Sequence, residues 1–496
     1  MGARLASLCP DGLLYIQIAQ KMETGDLRGG LGETQLNIYP MVLAGLHRLG
    51  LPWELAGKYW GVLISSLVVL PLYGWVRRQF DDRVAFWACF LYAVHADLIA
   101  WSPETMRDST FWFLFVLAIY LLWRAVTEVR LTLFAAAGVV TVLAIVTRAE
   151  ALLLLIPLAL WSWSRWRALE QGRGRLAAGV LVCLAVPSIL VVLTNVAWLG
   201  AHGHWELPRL RPVAQIVPWV ESLMGAAEGD TNSRLADASV AALPFGRMAR
   251  IFVPTLVRGL TPLFALFLLL GLWGWRRTWL RRDHQPLFYV AMLILLGIWV
   301  GLWTVGSSCP RYVFPIVLMG SGFAALGWLR IAGLCRAAWE SRAWGRRWAV
   351  VPTVATAIVM TGLGLGGAAA RDCRFRNAQV DLGRWLHQTY GPSPRLVAPD
   401  GAAQVIAYYA GAQSRSFPQT ASPEAVVAIV RQFRPKVVLL QPTSRMNGQR
   451  CAEIWEAMAP LGWQRVDTAL LPPGCEGLLV LARHPRDLDV ARRATR

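Results

Sequence analysis

The sequence predicts a polytopic α-helical membrane protein that ends in a small α/β domain. Three observations carry this. Apolar runs long enough to cross a bilayer recur between residues 55 and 370. The connections between them alternate between arginine-rich and arginine-poor. Near residue 370 the composition changes, and short β-branched runs begin to alternate with amphipathic ones. The overall composition agrees. Of 496 residues 56% are hydrophobic and only 16% are charged, less charge than a soluble chain of this length carries.

Residues 1–54 form the first region, a loop with amphipathic helices. Its stretch CPDGLLYIQIAQKMETGD (9–26) sets Asp11 ahead of a helical run. Asp11 fits a helix N-cap, and it fits an acid presented at a membrane surface equally well; spacing alone does not separate the two. Residues 1–10 are too short for the apolar stretch of a cleavable signal. Residues 55–370 form the second region, with spans expected near 55–76, 84–101, 110–127, 130–147, 149–164, 176–199, 255–275, 286–305, 311–329 and 348–368. Pro71, Pro187, Pro262 and Pro315 fall within spans, where neighbouring helices can satisfy the freed carbonyls. GLGLGG (362–367) follows no strand, so it reads as a close-packed or flexible helix end and not as a nucleotide loop. Residues 371–496 form the third region. RLVAP, VIAYYAG, KVVLLQP and GLLVLARH read as strands; AQVDLGRWLHQTY, PEAVVAIVRQF and CAEIWEAMAPLG read as amphipathic helices between them.

The formal net charge of +19 by itself would suggest a nucleic-acid partner. Its distribution argues otherwise. The arginines cluster in alternate connections, at 77–83, 124–130, 165–175, 276–282 and 330–347. The positive-inside rule makes those connections cytoplasmic and accounts for the charge as a topology signal. It places residues 1–54, the connections at 102–109, 148, 200–250 and 306–310, and the tail on the opposite side. Eight cysteines are scattered, with no CxxC and no His/Cys cluster at zinc spacing. Cys451 and Cys475 share the outer side and could bond.

Charge beside a span is costly to hold there and so is informative. On the outer side the candidates are Asp11, Glu33, Asp97, Glu104, Arg107, Asp108, Arg148, Glu150 and Arg311. They are far apart in the chain, yet the topology returns them to one face. SPETMRD (102–108), TRAE (147–150) and SSCPRYVFP (307–315) are the polar turns that carry most of them. A site built of acids and arginines is the sharp reading. The bland one is that interfacial charges mark boundaries: Arg148 and Glu150 could pair at a tight turn, and Asp97 could pair with His95. Arg107 and Asp108 are adjacent, so on a helix they point in different directions and each needs another partner. His202, His204 and Glu206 in AHGHWE could bind metal, though two loop histidines are weak support.

The same segments resemble the GT-C glycosyltransferases, in particular the protein O-mannosyltransferase and lipid A aminoarabinose transferase group. PDGLLYIQIAQKMETGD followed by NIYPMVLAGLHRLG is similar to their first extracytoplasmic loop, with Asp11, Tyr15, Tyr39 and Pro40 at the matching positions. LIAWSPETMRDSTFWFLFVLAIYLLWRA resembles their third and fourth spans, with the second acid at Asp108. TRAEALLLLIPLAL resembles the TRPE-type turn, and PRYVFPIVLM the Arg-Tyr span start at Arg311 and Tyr312. Two departures stand out. The family carries a span ahead of its first acid, for which residues 1–10 are too short, and it usually follows that acid with a second one, where this chain has Gly12.

The resemblance implies inverting transfer of a hexose or pentose from a polyprenyl-phosphate carrier to an unidentified protein, lipid or glycan acceptor at the outer face of the plasma membrane. Asp11 is then the expected general base, with Asp108 the other candidate catalytic carboxylate. Arg148 and Arg311 are expected to receive the phosphate that leaves. Tyr15, Tyr39, Glu104, Arg107, Glu150 and Tyr312 are the expected substrate-binding residues. A divalent Mg or Mn held by Asp108 or Glu104 together with Asp11 is compatible with oxygen ligands, though nothing in the sequence demands it. The rival class is a lipid or glycan transporter or flippase, which also carries intramembrane charge and broken helices. Against it, the charges gather at one face and no internal repeat is visible.

Overall fold

The computed structural model of the protein describes residues 8–26, 37–202, 245–274, 284–305, 309–340, 351–369, 374–400, 402–442, 446–475 and 477–483. The chain divides into two compact units. One is Ile18–Ala370; the other joins Met1–Gln17 to Arg371–Arg496.

The larger unit is helical. In chain order its helices are α1 (Pro10–Glu23, which begins in the other unit), α2 (Ile38–Arg48), α3 (Trp53–Leu67), α4 (Val69–Gln79), α5 (Asp82–Ala93), α6 (Ala96–Trp101), α7 (Asp108–Glu128), α8 (Leu131–Thr147), α9 (Leu155–Ala168), α10 (Arg173–His202), α11 (Phe245–Leu260), α12 (Pro262–Gly274), α13 (Gln285–Val305), α14 (Phe314–Glu340) and α15 (Val351–Ala369). Among the described residues four stretches are long and apolar enough to cross a membrane: Trp53–Gln79, Asp108–Glu128, Gln285–Leu302 and Pro310–Ala337. Met248–Leu260 and Pro262–Gly274 add a fifth if the bent pair counts as one span.

The expected spans fall on helix, with interruptions that hydropathy does not reveal. The run at 84–101 breaks at Val94–His95 between α5 and α6. The run at 149–164 opens as a 3-10 turn, Ala149–Leu154, before α9. The run at 255–275 bends by 86° at Thr261, which sits at φ +57° ahead of Pro262. Proline has no N–H to continue the helix and opens α12 instead. Large aromatics fill the core of this unit; Trp75, Trp112, Phe115, Phe134, Phe314 and Trp328 are all buried. The GLGLGG stretch lies inside α15, and Gly364 lets that helix touch the Val94 carbonyl, so it serves close packing. Glu33, His204 and Glu206 lie outside the described residues.

The tail is a three-layer α/β/α sandwich. It runs α16 (Arg374–Tyr390), β1 (Arg395–Pro399), α17 (Ala402–Ala410), β2 (Gln413–Phe417), α18 (Pro423–Phe433), β3 (Val437–Leu440), α19 (Gly448–Met458), β4 (Gln464–Arg465) and β5 (Leu479–Ala482). The sheet order is β2-β1-β3-β5-β4; the first three strands are parallel and β5 and β4 pair antiparallel. Alternation along the strands splits the core. Leu396, Ala398 and Leu439 face α16 and α17, whereas Val397, Val438 and Leu440 face α18 and α19.

Two expectations for the tail are corrected. VIAYYAG is helix, not strand. Its β-branched and aromatic residues favour a strand locally, but Ala403, Ile406, Ala407 and Ala410 recur at helical spacing and bury one face of α17 against α16 and the sheet. Cys451 and Cys475 are both free thiols. Cys475 belongs to the core on one side of the sheet and donates to the Ala378 carbonyl at 3.4 Å, while Cys451 is in the core on the other side, so the sheet itself separates them. Strand β2 (QSRSF) was not expected, because an edge strand exposed on four of its five residues shows no apolar alternation.

Candidate active site

Three polar turns meet at one end of the helical unit. The first is the hairpin 102–107 that leads into α7. It lies tight against α3 because Gly57 and Gly61 face it: a Cβ on either would collide, with the Thr105 side chain in one case and the Ser102 carbonyl in the other. That seating starts α7 at Asp108, a carboxylate in the first turn where the helix dipole favours one. The second is the turn after α8, where Arg148 leaves the helix in an extended conformation (φ −148°, ψ 132°) and the 3-10 turn carrying Glu150 follows. The third is the 3-10 turn Pro310–Val313, which carries Arg311 and Tyr312 into α14.

Arg148 is the centre. It is buried, with Nη1 donating to Asp108 Oδ1 and Nη2 donating to Glu150 Oε1 at 2.6 Å. Asp108 is equally buried, and its Oδ2 lies 3.9 Å from Arg311 Nη1. Arg311 Nη1 also donates to Met106 Sδ at 3.1 Å. Aromatic faces close the cluster. Arg148 lies 5.1 Å from the Tyr312 ring centroid and 5.4 Å from that of Phe111. Arg311 lies 5.5 Å from Tyr312 and 5.8 Å from Trp101. A guanidinium over a desolvated ring face is held more firmly than over an exposed one.

The cluster opens on a cavity of about 540 Å³. Its lining includes Arg148, Glu150, Arg311 and Tyr312 together with the apolar Leu293, Ile294, Gly297 and Ile298 of α13. This volume is in the usual range for a ligand pocket. A cationic rim beside a greasy wall suits a molecule with an anionic head and a hydrocarbon tail.

The expected site residues fall into three groups. Asp108, Arg148, Glu150, Arg311 and Tyr312 are brought together as described. Glu104 and Arg107 stand in the hairpin beside them. Arg107 is near enough to act on Glu150, and Glu104 on Lys58, electrostatically. Tyr39 is fully buried near the start of α2, where Asn37 caps the helix by accepting from the Tyr39 amide at 3.0 Å; α2 packs on α3 and α8, and Tyr39 does not line the cavity. Asp11 and Tyr15 lie on the first turns of α1, in the unit shared with the tail. Asp11 is half-buried and Tyr15 is buried. The His95–Asp97 pairing is not what His95 does: both its ring nitrogens meet backbone groups instead. Among the described residues no three His, Cys, Asp or Glu side chains gather as a metal site. Asp108 and Glu150 accept from Arg148, so these two carboxylates serve as arginine partners.

Sequence reasoning missed Trp101, Met106, Phe111 and the two α3 glycines. Phe111 was findable, since it lies one helical turn after Asp108 and so on the same face. The Gly57–Gly61 spacing is a small-xxx-small pattern, also visible beforehand.

Comparison with known proteins bears on the fold in which this cluster sits. The family described as dolichyl-phosphate-mannose-protein mannosyltransferase matches residues 40–198, which include the first two polar turns. No curated protein matches the chain by sequence. Among solved structures, ArnT from Cupriavidus metallidurans bound to undecaprenyl phosphate superposes with a TM-score of 0.58 at 15% identity, covering 97% of this chain and 95% of that one. The archaeal oligosaccharyltransferase AglB from Archaeoglobus fulgidus, in complex with an inhibitory peptide and a dolichol-phosphate, gives 0.53 at 12% identity, covering 97% and 71%. The Archaeoglobus fulgidus oligosaccharyltransferase in complex with Zn and sulfate gives 0.56 at 13% identity, covering 97% and 70%. At these identities the shared property is the fold. This chain therefore has the fold of ArnT and of the archaeal oligosaccharyltransferase, and its residues 40–198 match the mannosyltransferase family.

Proposed function

We propose that the protein is an inverting membrane glycosyltransferase that moves a sugar from a polyprenyl-phosphate carrier to an acceptor nucleophile. One observation carries the reading: two guanidinium groups that meet one buried carboxylate also line a cavity whose other lining residues are largely apolar. In the reaction the acceptor oxygen or nitrogen forms a bond to the anomeric carbon. The bond from that carbon to the phosphate oxygen breaks, and its electron pair leaves with the polyprenyl phosphate. A phosphate needs no protonation to depart, so one base suffices where a glycosidase uses two carboxylates.

The residues take distinct roles. Arg148 is tethered by Asp108 and Glu150 and is therefore oriented in advance. Arg311 stands 3.9 Å from Asp108 and lines the cavity, and its guanidinium fork matches the oxygens of a phosphate. Asp108 is the carboxylate that holds the arginines in register. Asp11 is the base that takes the acceptor proton. The arginine asymmetry of the connections puts the site and the tail on the outer side of a cell membrane. Sugar and acceptor are to be found by assay.

Incubation of the purified protein with radiolabelled polyprenyl-phosphate sugar and candidate acceptors tests the activity, and absence of transfer to any acceptor class argues against it. Asp11 lies inside the first turn of α1 and not at its N-cap; Asp11→Asn keeps shape but cannot take a proton, so turnover should fall by about a hundredfold or more with donor binding intact. Near-native transfer would remove Asp11 from the mechanism. Arg311→Lys keeps charge but loses the fork and should weaken polyprenyl-phosphate binding by about tenfold, the value of roughly one charged hydrogen bond. Reporter fusions after Arg371 should behave as extracytoplasmic and those after Arg282 as cytoplasmic; the reverse pattern would invert the sidedness.

A further inference from the structure

His95 stands at the break between α5 and α6, almost fully buried at 3% exposure. Its two nitrogens have fixed duties. Nδ1 faces the Leu98 amide at 3.4 Å, an N–H that can only donate, so Nδ1 is the acceptor that caps α6. Nε2 faces the Leu260 carbonyl oxygen at 3.2 Å, which can only accept, so Nε2 carries the hydrogen. The partners therefore dictate the neutral ring with the proton on Nε2. Leu260 is the last residue of α11, at the 86° bend, where Pro262 offers no N–H to a preceding carbonyl. His95 thus joins two helix breaks that are 165 residues apart.

The end of α11 is also the seat of the turn that carries Arg311. A Cβ on Gly259 would lie 2.7 Å from Val313 Cβ and 2.9 Å from the Pro310 carbonyl oxygen, so the last turn of α11 is in direct contact with the turn Pro310–Val313. A second line of contact runs through rings. The His95 ring meets Phe314 edge to face at 6.1 Å, and Phe314 meets Trp112 edge to face at 5.1 Å. Phe314 directly follows the Arg311 turn, and Trp112 lies one helical turn after Asp108. His95 is therefore linked to both halves of the Asp108–Arg311 pair, to one by a hydrogen bond to the α11 terminus and to the other by aromatic packing.

We infer that His95 is a positioning residue for the phosphate end of the site: by tying the α11–α12 bend to the α5–α6 break it sets where Arg311 stands relative to Asp108. The inference rests on the reading of Arg311 as a phosphate ligand for its functional consequence, but its geometric part does not. A cavity of about 230 Å³ borders the ring, lined by Val94, Thr261, Pro262 and Gly364 among others, which leaves room beside the ring for a leucine of similar size.

Two readouts separate the parts. The first is binding of undecaprenyl phosphate to the full-length protein in detergent, by calorimetry. His95→Leu should weaken binding about fivefold to tenfold, the order of one lost hydrogen bond. His95→Gln, which can still donate to Leu260, should recover most of it. In an Arg311→Lys background His95→Leu should add little, because both act through the same guanidinium. The second is the alkylation rate of Cys309, a free thiol next to the Arg311 turn and on the cavity wall, followed by peptide mass spectrometry. His95→Leu should speed its labelling several-fold and His95→Gln should not. Unchanged Cys309 labelling, or losses in binding that simply multiply in the double variant, would overturn the inference. Altered labelling in a protein that binds no undecaprenyl phosphate even as wild type would uphold the geometric link and overturn the phosphate reading of Arg311.

Discussion

The helical unit and the tail handle arginine in opposite ways. In the helical unit Arg148 and Asp108 side chains are each only 7% exposed and face each other across forty residues of chain. In the tail, Arg384 and Asp381 stand 4.0 Å apart with about half of each side chain in solvent, and Arg450 binds the carbonyls of Thr420 and Ala421 near the surface. Among the described residues of the tail no charged side chain is buried. Taking two charges out of water costs several kcal/mol per ion and is seldom the most stable way to fill space. A protein that does so in one unit and avoids it in the other is holding those charges for something other than stability. The contrast supports the proposed role of this cluster without appeal to any motif.

The comparison can be broken at its strongest point first. Asp108→Ala leaves Arg148 and Arg311 without the carboxylate between them. It should destabilise the helical unit by about 3–5 kcal/mol, the usual result of stripping one partner from a buried pair, and abolish transfer. Thermal unfolding in detergent together with the label-transfer assay measures both. A variant that melts like wild type would mean the cluster is hydrated and the contrast with the tail is only apparent. Next, Ile454→Ala in the tail core should cost about 2–5 kcal/mol, the range for large-to-small changes in a packed apolar core. If residues 375–490 are produced alone as a soluble, cooperatively unfolding domain, the loss should appear there as a lower denaturant midpoint. A non-cooperative transition would show that the tail draws its order from the rest of the chain. The smallest effect is expected at Asn447, which caps α19 by accepting from the Arg450 amide at 2.9 Å. Asn447→Ala should cost about 1 kcal/mol, with transfer unchanged. A large loss of activity there would give the tail a share in catalysis that the burial pattern does not suggest.

Much of this was legible in the chain. Apolar runs of spanning length mark helices because a bilayer leaves no other way to satisfy the backbone. In the tail, PEAVVAIVRQF carries a proline at the first helical position and Ser422 as cap, and it forms the helix those signals predict. Arg148, Asp108 and Arg311 could be nominated because charge beside a span is expensive. What pattern could not supply were the bend at Thr261, the helical state of VIAYYAG and the polar edge strand β2. In each the local preference is ambiguous or contrary and the neighbours decide.

By itself the sequence determined the class of protein and most of its run of helices, and it nominated the charged residues to look at. Those follow from properties summed along the chain: hydropathy, arginine distribution and residue period. Tertiary structure alone decided which of those charges meet. Asp108 pairs with Arg148 because Gly57 and Gly61 let the 102–107 hairpin lie against α3, and because the turns at 148 and 311 arrive at the same end of the bundle. It also decided that His95 serves a carbonyl 165 residues away and not the aspartate two residues on. The physical reason is the same in both cases: a buried polar group must find a partner of the right chemistry within about 3 Å, and only the folded chain brings one there.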